Sequence, residues 1–342
     1  MKILIEFNLS FKHLVDFVSW EFGDSMISLS DQHLSGYKPK ERIEIPPLYS
    51  WPPRPMMAVR WLIFDLHFPW GFFFIFLSVF SWKFLSPSPE TLRSLNLSWM
   101  AMVWLRNAVL LSSIAGTIHW VLYIRRFQKN EYKFDDRWLQ KNSRKFLCRD
   151  QVIDNIFWSL FSGVTVWSLF ETLTLWMWAS GRISKVDWGS DTVYLSCMLV
   201  AFFLLSSIHF WLIHSLLHWK PLYKYVHRLH HRNVTPGPWS GISMHPVEHI
   251  LYFSFFLVWW VLPVHPLLIL LTGLYKGIEP TVSHSGFQKI TIGKKLKIEA
   301  GDFFHQLHHG LFEVNYGNNL VPLDVLFGNW HDGESDKGLK DD

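Results

Sequence analysis

Cysteine is nearly absent: Cys148 and Cys197 are the only two in 342 residues. One lies in a charged loop and the other in an apolar stretch, which argues against a disulfide and excludes a CxxC metal site. Charge is also scarce. Charged residues make up 18% of the chain and the net charge is +4, with no dense basic tract to suggest nucleic acid as a partner. A cleavable signal peptide is missing from the first residues. MKILIEFNLSFKHLV is broken by Glu6, Asn8 and Lys12, and no small-residue cleavage site follows. A weakly amphipathic helix lying on the membrane is expected there instead. There is no low-complexity tract, and no internal repeat beyond an echo of HxxHH.

What the chain has in abundance is apolar and aromatic surface. Hydrophobic residues make up 49%, including 20 Trp and 29 Phe, and they are gathered into long runs, the signature of a multi-span membrane protein. Residues 1–67 read as a polar leader ending in a proline-rich stretch, Pro46 to Pro55, which excludes regular helix or central strand there. Apolar runs at 68–85, 98–124, 152–179 and 192–219 predict four spans. The loop 125–150 carries nine Lys and Arg, against Arg93 alone in the loop before it. Positive charge collects on the cytosolic side, so that loop and the end of the fourth span are expected there. Residues 250–279 are apolar again but broken at Leu262-Pro263-Val264-His265-Pro266. Each half is short for a crossing, which predicts a re-entrant hairpin. The expected fold is therefore all-α: an integral membrane helical bundle of about four spans plus the hairpin, with a cytosolic histidine-rich cap. Residues 333–342 form an acidic tail.

Histidine is plentiful, at eighteen, and eight lie in three clusters. These are His214 and His218 (HSLLH), His227, His230 and His231 (HRLHH), and His305, His308 and His309 (HQLHH). Residues three and four apart share a helix face, so each cluster aims its rings at one spot. Eight nitrogens exceed one ion's needs and suit two neighbouring metals. His284 follows the hairpin and is expected to return as a ninth ligand. In HPVEH, His245 and His249 are possible ligands or supporting residues, with Glu248 placed to accept a ligand ring's other N–H. The remaining histidines read as structural or solvent-facing; on a helix, His209 lies about 140° from His214 and faces away. Imidazole serves zinc, copper, iron and nickel alike. A zinc-dependent membrane hydrolase and a non-catalytic metal-binding membrane protein therefore stay open at this point. Few charges fall within the spans, which disfavours a transporter; Glu171 is the exception. Trp239 and the aromatic stretch Phe253 to Trp260 are candidate linings for a lipid channel.

HSLLH, HRLHH and HQLHH, in this order and spacing, resemble the fatty acid hydroxylase/sterol desaturase superfamily of integral membrane di-iron oxygenases. TPGPWSGISMHPVEH, His284 and VNYGNNLVPLDVLFG support the match, which covers about residues 150–332 within a membrane-embedded region of 68–332. Trp330 departs from it, standing where many relatives have a small residue. The resemblance implies two iron ions cycling between Fe2+ and Fe3+, with O2 as co-substrate. It also implies hydroxylation or desaturation of a lipid, either a sterol or isoprenoid or a fatty acyl chain. Epoxidation of a squalene-like isoprenoid and ether-lipid monooxygenation belong to the same superfamily. The chain has no HPGG haem segment and no iron–sulfur cysteine set. A separate electron carrier of cytochrome or ferredoxin type, with its reductase, is therefore implied, and the basic loop 125–150 is a candidate dock. The expected location is the endoplasmic reticulum in a eukaryote or the inner membrane in a bacterium.

Overall fold

The computed structural model describes residues 35–293 and 295–334. The expected surface helix at the start of the chain, His13, His33 and most of the acidic tail lie outside them. Helix α1 (Pro55–Asp65) and helix α2 (Trp70–Phe84) are bent by 43° at a short break, and together are long and apolar enough for one span. The first span thus has a helical lead-in, because Pro55 opens α1 in its first turn, where a missing N–H costs nothing. Three longer apolar helices follow: α3 (Leu97–Ile124), α4 (Gln151–Ala179) and α5 (Thr192–Leu217). The starts of α3 and α4 are set by short polar side chains. Asn96 accepts from the Ser98 N–H at 2.8 Å, and Asp150 accepts from the Val152 N–H at 2.8 Å.

The hairpin consists of α6 (Pro246–Val261) and α7 (Pro266–Ser283). His245 and His265 cap the two arms, each followed by proline at the first helical position. The arms enter and leave at the histidine end of the bundle, yet they run deeper than a re-entrant loop. Val264 at the tip pairs with the turn after α4: its N–H donates to the Ser184 carbonyl at 3.0 Å. Tyr194, near the start of α5, reaches the Pro263 carbonyl at 2.8 Å. Two short apolar arms therefore traverse the bundle, the second sheltered by protein along its length. Almost every residue of α7 is buried, packed against α2, α3 and α4. Gly273 and Gly277 lie under the Trp167 ring so closely that a Cβ at either would collide with it, a small-residue contact that lets the helices approach. Trp239 and the Phe253 to Trp260 aromatics Phe253, Phe255, Phe256 and Trp259 belong to this packed core; they do not line the cavity described below.

Two ionisable groups inside the bundle partner each other. Arg106 of α3 pairs with Glu171 of α4, and Asn107 donates to the same carboxylate at 3.0 Å and to Ser168 at 3.1 Å. The cap is built from residues 220–241 and 284–334. It contains the short antiparallel pair β1 (Lys289–Ile292) and β2 (Leu296–Glu299) and the helix α8 (Phe303–Leu311). The basic loop 125–150 folds onto this cap. The Phe134 N–H donates to Gly286 at 3.0 Å and the Gln288 N–H to Tyr132 at 2.9 Å. Lys133 is consumed inside the loop by the Asp135 and Arg137 carbonyls.

Candidate metal centre

His214 sits in the last turn of α5 and His218 at its C-cap, so both rings leave the end of the helix together. The chain then turns at Pro221 and winds through residues 220–231. This carries His227, His230 and His231 back over the end of α5. His284 caps the C-terminus of α7. On α8, begun by Asp302 accepting from the Phe304 N–H at 2.9 Å, stand His305, His308 and His309. All nine rings meet. They form two groups, His214, His218, His227, His231 and His308 in one and His230, His284, His305 and His309 in the other. Within each group one ligand atom per residue lies within 4.8 Å of the others. Neither group belongs to one sequence cluster; HRLHH and HQLHH each contribute to both.

The hydrogen bonds fix which nitrogen faces inward. The Nδ1–H of His214 donates to the Tyr316 carbonyl at 2.5 Å, and that of His308 to the Val314 carbonyl at 2.7 Å. His227 Nδ1 lies 2.8 Å from the buried carboxylate of Glu248. With the Nδ1 proton engaged outside, Nε2 presents a lone pair inward. His214 Nε2 and His227 Nε2 then lie 3.0 Å apart. His227 Nε2 is 3.0 Å from His231 Nε2, which is 3.1 Å from His308 Nε2. The facing lone pairs of His214 and His227, both with Nδ1 engaged outside, repel unless a cation stands between them. In the second group His284 and His305 approach at 3.1 Å through Nε2. Among the described residues, His309 is buried with no hydrogen-bond partner on either nitrogen, a cost of order 1–3 kcal/mol for each lost bond that a metal–nitrogen bond would remove. Burial keeps the rings neutral, the form that ligates. It pushes His230 down to about 4 and His308 to about 3, and takes His231, His305 and His309 well below the ordinary range. The donor set fits two imidazole-bound ions.

His245 and His249 stand apart. His245 Nδ1 accepts from the Val247 N–H at 3.2 Å. His249 uses both nitrogens, on Ser162 at 2.9 Å and on the Ile242 carbonyl at 3.0 Å. HPVEH thus reaches the centre through Glu248 alone. His209 bonds Ser254 at 3.0 Å, away from the rings. Trp330 packs on Phe304 of α8, with ring centroids 4.6 Å apart. The stretch VNYGNNL earns its place by backbone, since its Val314 and Tyr316 carbonyls orient two rings, and no side-chain pattern could announce that. Lys276 and Glu279 of α7 escaped sequence reasoning. Both line a cavity that also touches His214, His227, His230, His284 and His305. Two charged residues in an otherwise apolar run were the available signal.

Comparison with known proteins agrees with this geometry. Residues 199–329 match the fatty acid hydroxylase family model, and all nine histidines fall inside that span. The chain is 28% identical to a Delta(7)-sterol-C5(6)-desaturase from Nicotiana tabacum over 68% of its own length and 84% of the relative's. It is 32% identical to a very-long-chain aldehyde decarbonylase from Oryza sativa subsp. indica, over 44% of the chain and 58% of the relative. It is 30% identical to a methylsterol monooxygenase from Aspergillus fumigatus, over 40% and 48%. No solved structure matches. Residues 199–329 thus carry a match to the fatty acid hydroxylase family, and the helical bundle and the converging histidines are in keeping with it and with the sterol desaturase and methylsterol monooxygenase relatives.

Proposed function

We propose that this protein is a membrane-bound oxidoreductase that holds two irons in its nine-histidine centre and uses O2 to hydroxylate or desaturate a lipid. The observation that carries the reading is the pair of convergent imidazole groups, whose inward lone pairs and partnerless His309 call for two cations. The matched family and the sterol-modifying relatives favour iron over zinc and a lipid over a peptide. Bound there, iron would supply the O2 activation that an unactivated C–H bond requires. The chain's own residues do the rest. His214, His218, His227, His231 and His308 would hold one ion, and His230, His284, His305 and His309 the other. Glu248 and the carbonyls of Tyr316 and Val314 fix ring orientation, the outer support that metal-binding histidines need. Phe210, Ile213, Leu217 and Met244 give the adjoining cavity an apolar wall that admits hydrocarbon and excludes water.

The protein is a multi-pass membrane protein, and the nine Lys and Arg of loop 125–150 favour the cytosolic face for the centre. Electrons would come from a separate carrier of cytochrome or ferredoxin type. Lipid mass spectrometry of a host lacking the activity tests the reading. Expression under air should produce lipids gaining one oxygen or losing two hydrogens, and the product should vanish without O2. An unchanged lipid profile, or the same product under argon, would reject oxidation and favour a hydrolase.

A further inference from the structure

Lys276 has no ordinary reason to be where it is. It is 2% exposed, on the arm α7, and among the described residues its Nζ makes no hydrogen bond or ion pair. The rings of Tyr252 and Phe255 lie near it, at 4.5 and 5.2 Å, and the Glu279 carboxylate acts on its charge without touching it. A buried ammonium with no hydrogen-bonded partner is costly, and an ionisable side chain at such depth usually marks a ligand pathway. Arg106 shows what a structural charge looks like in this bundle, with carboxylate, amide and hydroxyl partners. Lys276 instead faces the cavity that reaches five of the histidines. One turn on, Glu279 lines the same cavity, its carboxylate held only by the Ser283 hydroxyl at 3.5 Å. Asp302 adds a second carboxyl to that wall.

We propose that Lys276 and Glu279 are the polar anchor for a free hydroxyl on the lipid, so that the substrate is a lipid alcohol. The inference rests on the lipid-oxidation reading above. A hydroxyl is the function that satisfies both groups at once: its oxygen accepts from the ammonium while its proton is donated to the carboxylate. An ether or ketone would leave Glu279 unpaired. A carboxylate or phosphate would meet two acids for one cation, which disfavours fatty acids and phospholipid headgroups. Lys276 precedes His284 by eight residues, a rise of about 12 Å along a helix. The anchored oxygen therefore lies several bonds from the carbon presented to the histidines, and the anchor selects which carbon that is.

The full chain, loaded with iron in detergent micelles, tests this by equilibrium binding. The probes are cholesterol and hexadecan-1-ol, the methyl ether of each, and hexadecanoic acid. At least one alcohol should bind about ten-fold or more tightly than its ether, the worth of a charge-assisted hydrogen bond. Lys276→Met should abolish that preference and keep the wild-type iron content. Glu279→Gln, a milder change, should reduce the preference and serves if Lys276→Met does not fold. Equal binding of alcohol and ether, tightest binding of the acid, binding of neither alcohol, or an undiminished preference in both variants would overturn the proposal. Iron content separates the two readings. A protein that prefers alcohols but holds no iron sinks the oxidation reading alone, and one that holds iron without the preference sinks the anchor alone.

Discussion

At the residue scale, the centre works because single atoms are placed by single hydrogen bonds. Glu248 touches no ion, yet it sets His227. Glu248→Ala should lower iron affinity or turnover by about 10–100-fold, as loss of such supporting partners does, and iron titration of the purified variant checks it. His309 has no partner but the metal we assign to it. His309→Ala should leave membrane insertion intact while iron falls from two per chain towards one or none, as measured by elemental analysis. The neutral rings also give the metal-free protein a pH dependence. Burial lowers the folded-state values, to about 4 for His230 and about 3 for His308, against 6.5 for an unburied ring. Below pH 6.5 the unfolded chain therefore takes up protons that the folded one refuses, and stability falls as pH drops towards 4. Thermal melts of metal-free protein should show a plateau above pH 7 and a decline below 6.5; a melting temperature flat from pH 7 to 4 would contradict the burial of these rings. The convergence of the histidine clusters was legible in the sequence because spacing of three and four maps directly onto a helix face. His245 and His249 share that spacing, but a capping role and a Ser162 bond belong to tertiary structure, and no spacing rule distinguishes them. Lys276 and Glu279 needed the cavity to acquire meaning.

At the element scale, the hairpin and the long spans are held by contacts that the apolar pattern alone could not specify. Run length located α3, α4 and α5 nearly to the residue, since lipid demands unbroken backbone pairing. It predicted the hairpin but not its depth, because length predicts crossing only for a helix that must face lipid, whereas α7 is surrounded by protein. It also missed α1, whose start depends on Pro55 taking a first-turn position. The Arg106–Glu171 pair, with side chains 5% and 0% exposed, joins α3 to α4. Glu171→Leu strands a buried guanidinium and should cost about 3–5 kcal/mol. Arg106→Met combined with Glu171→Leu should recover most of that loss. Denaturation in detergent measures both, and equal damage by single and double variants would show that the pair matters for more than charge balance.

At the scale of the whole molecule, three segments distant in sequence converge at one end of a bundle. Residues 35–45 and the loop 125–150 brace that end from outside: the Tyr37 N–H bonds the Lys133 carbonyl at 2.6 Å and the Ile43 N–H bonds Asp332 at 3.0 Å. Orientation is testable with the native cysteines, both exposed and unpaired. In a Cys197→Ser background, a membrane-impermeant thiol reagent should label Cys148 from the cytosolic side only; labelling from the opposite side would invert the topology. The central matter is whether the two groups of rings hold two irons. Elemental analysis of wild-type protein purified without a chelating tag answers it most directly. About two irons per chain are expected; zinc in their place, or a single ion shared by all nine rings, would contradict the dinuclear iron centre.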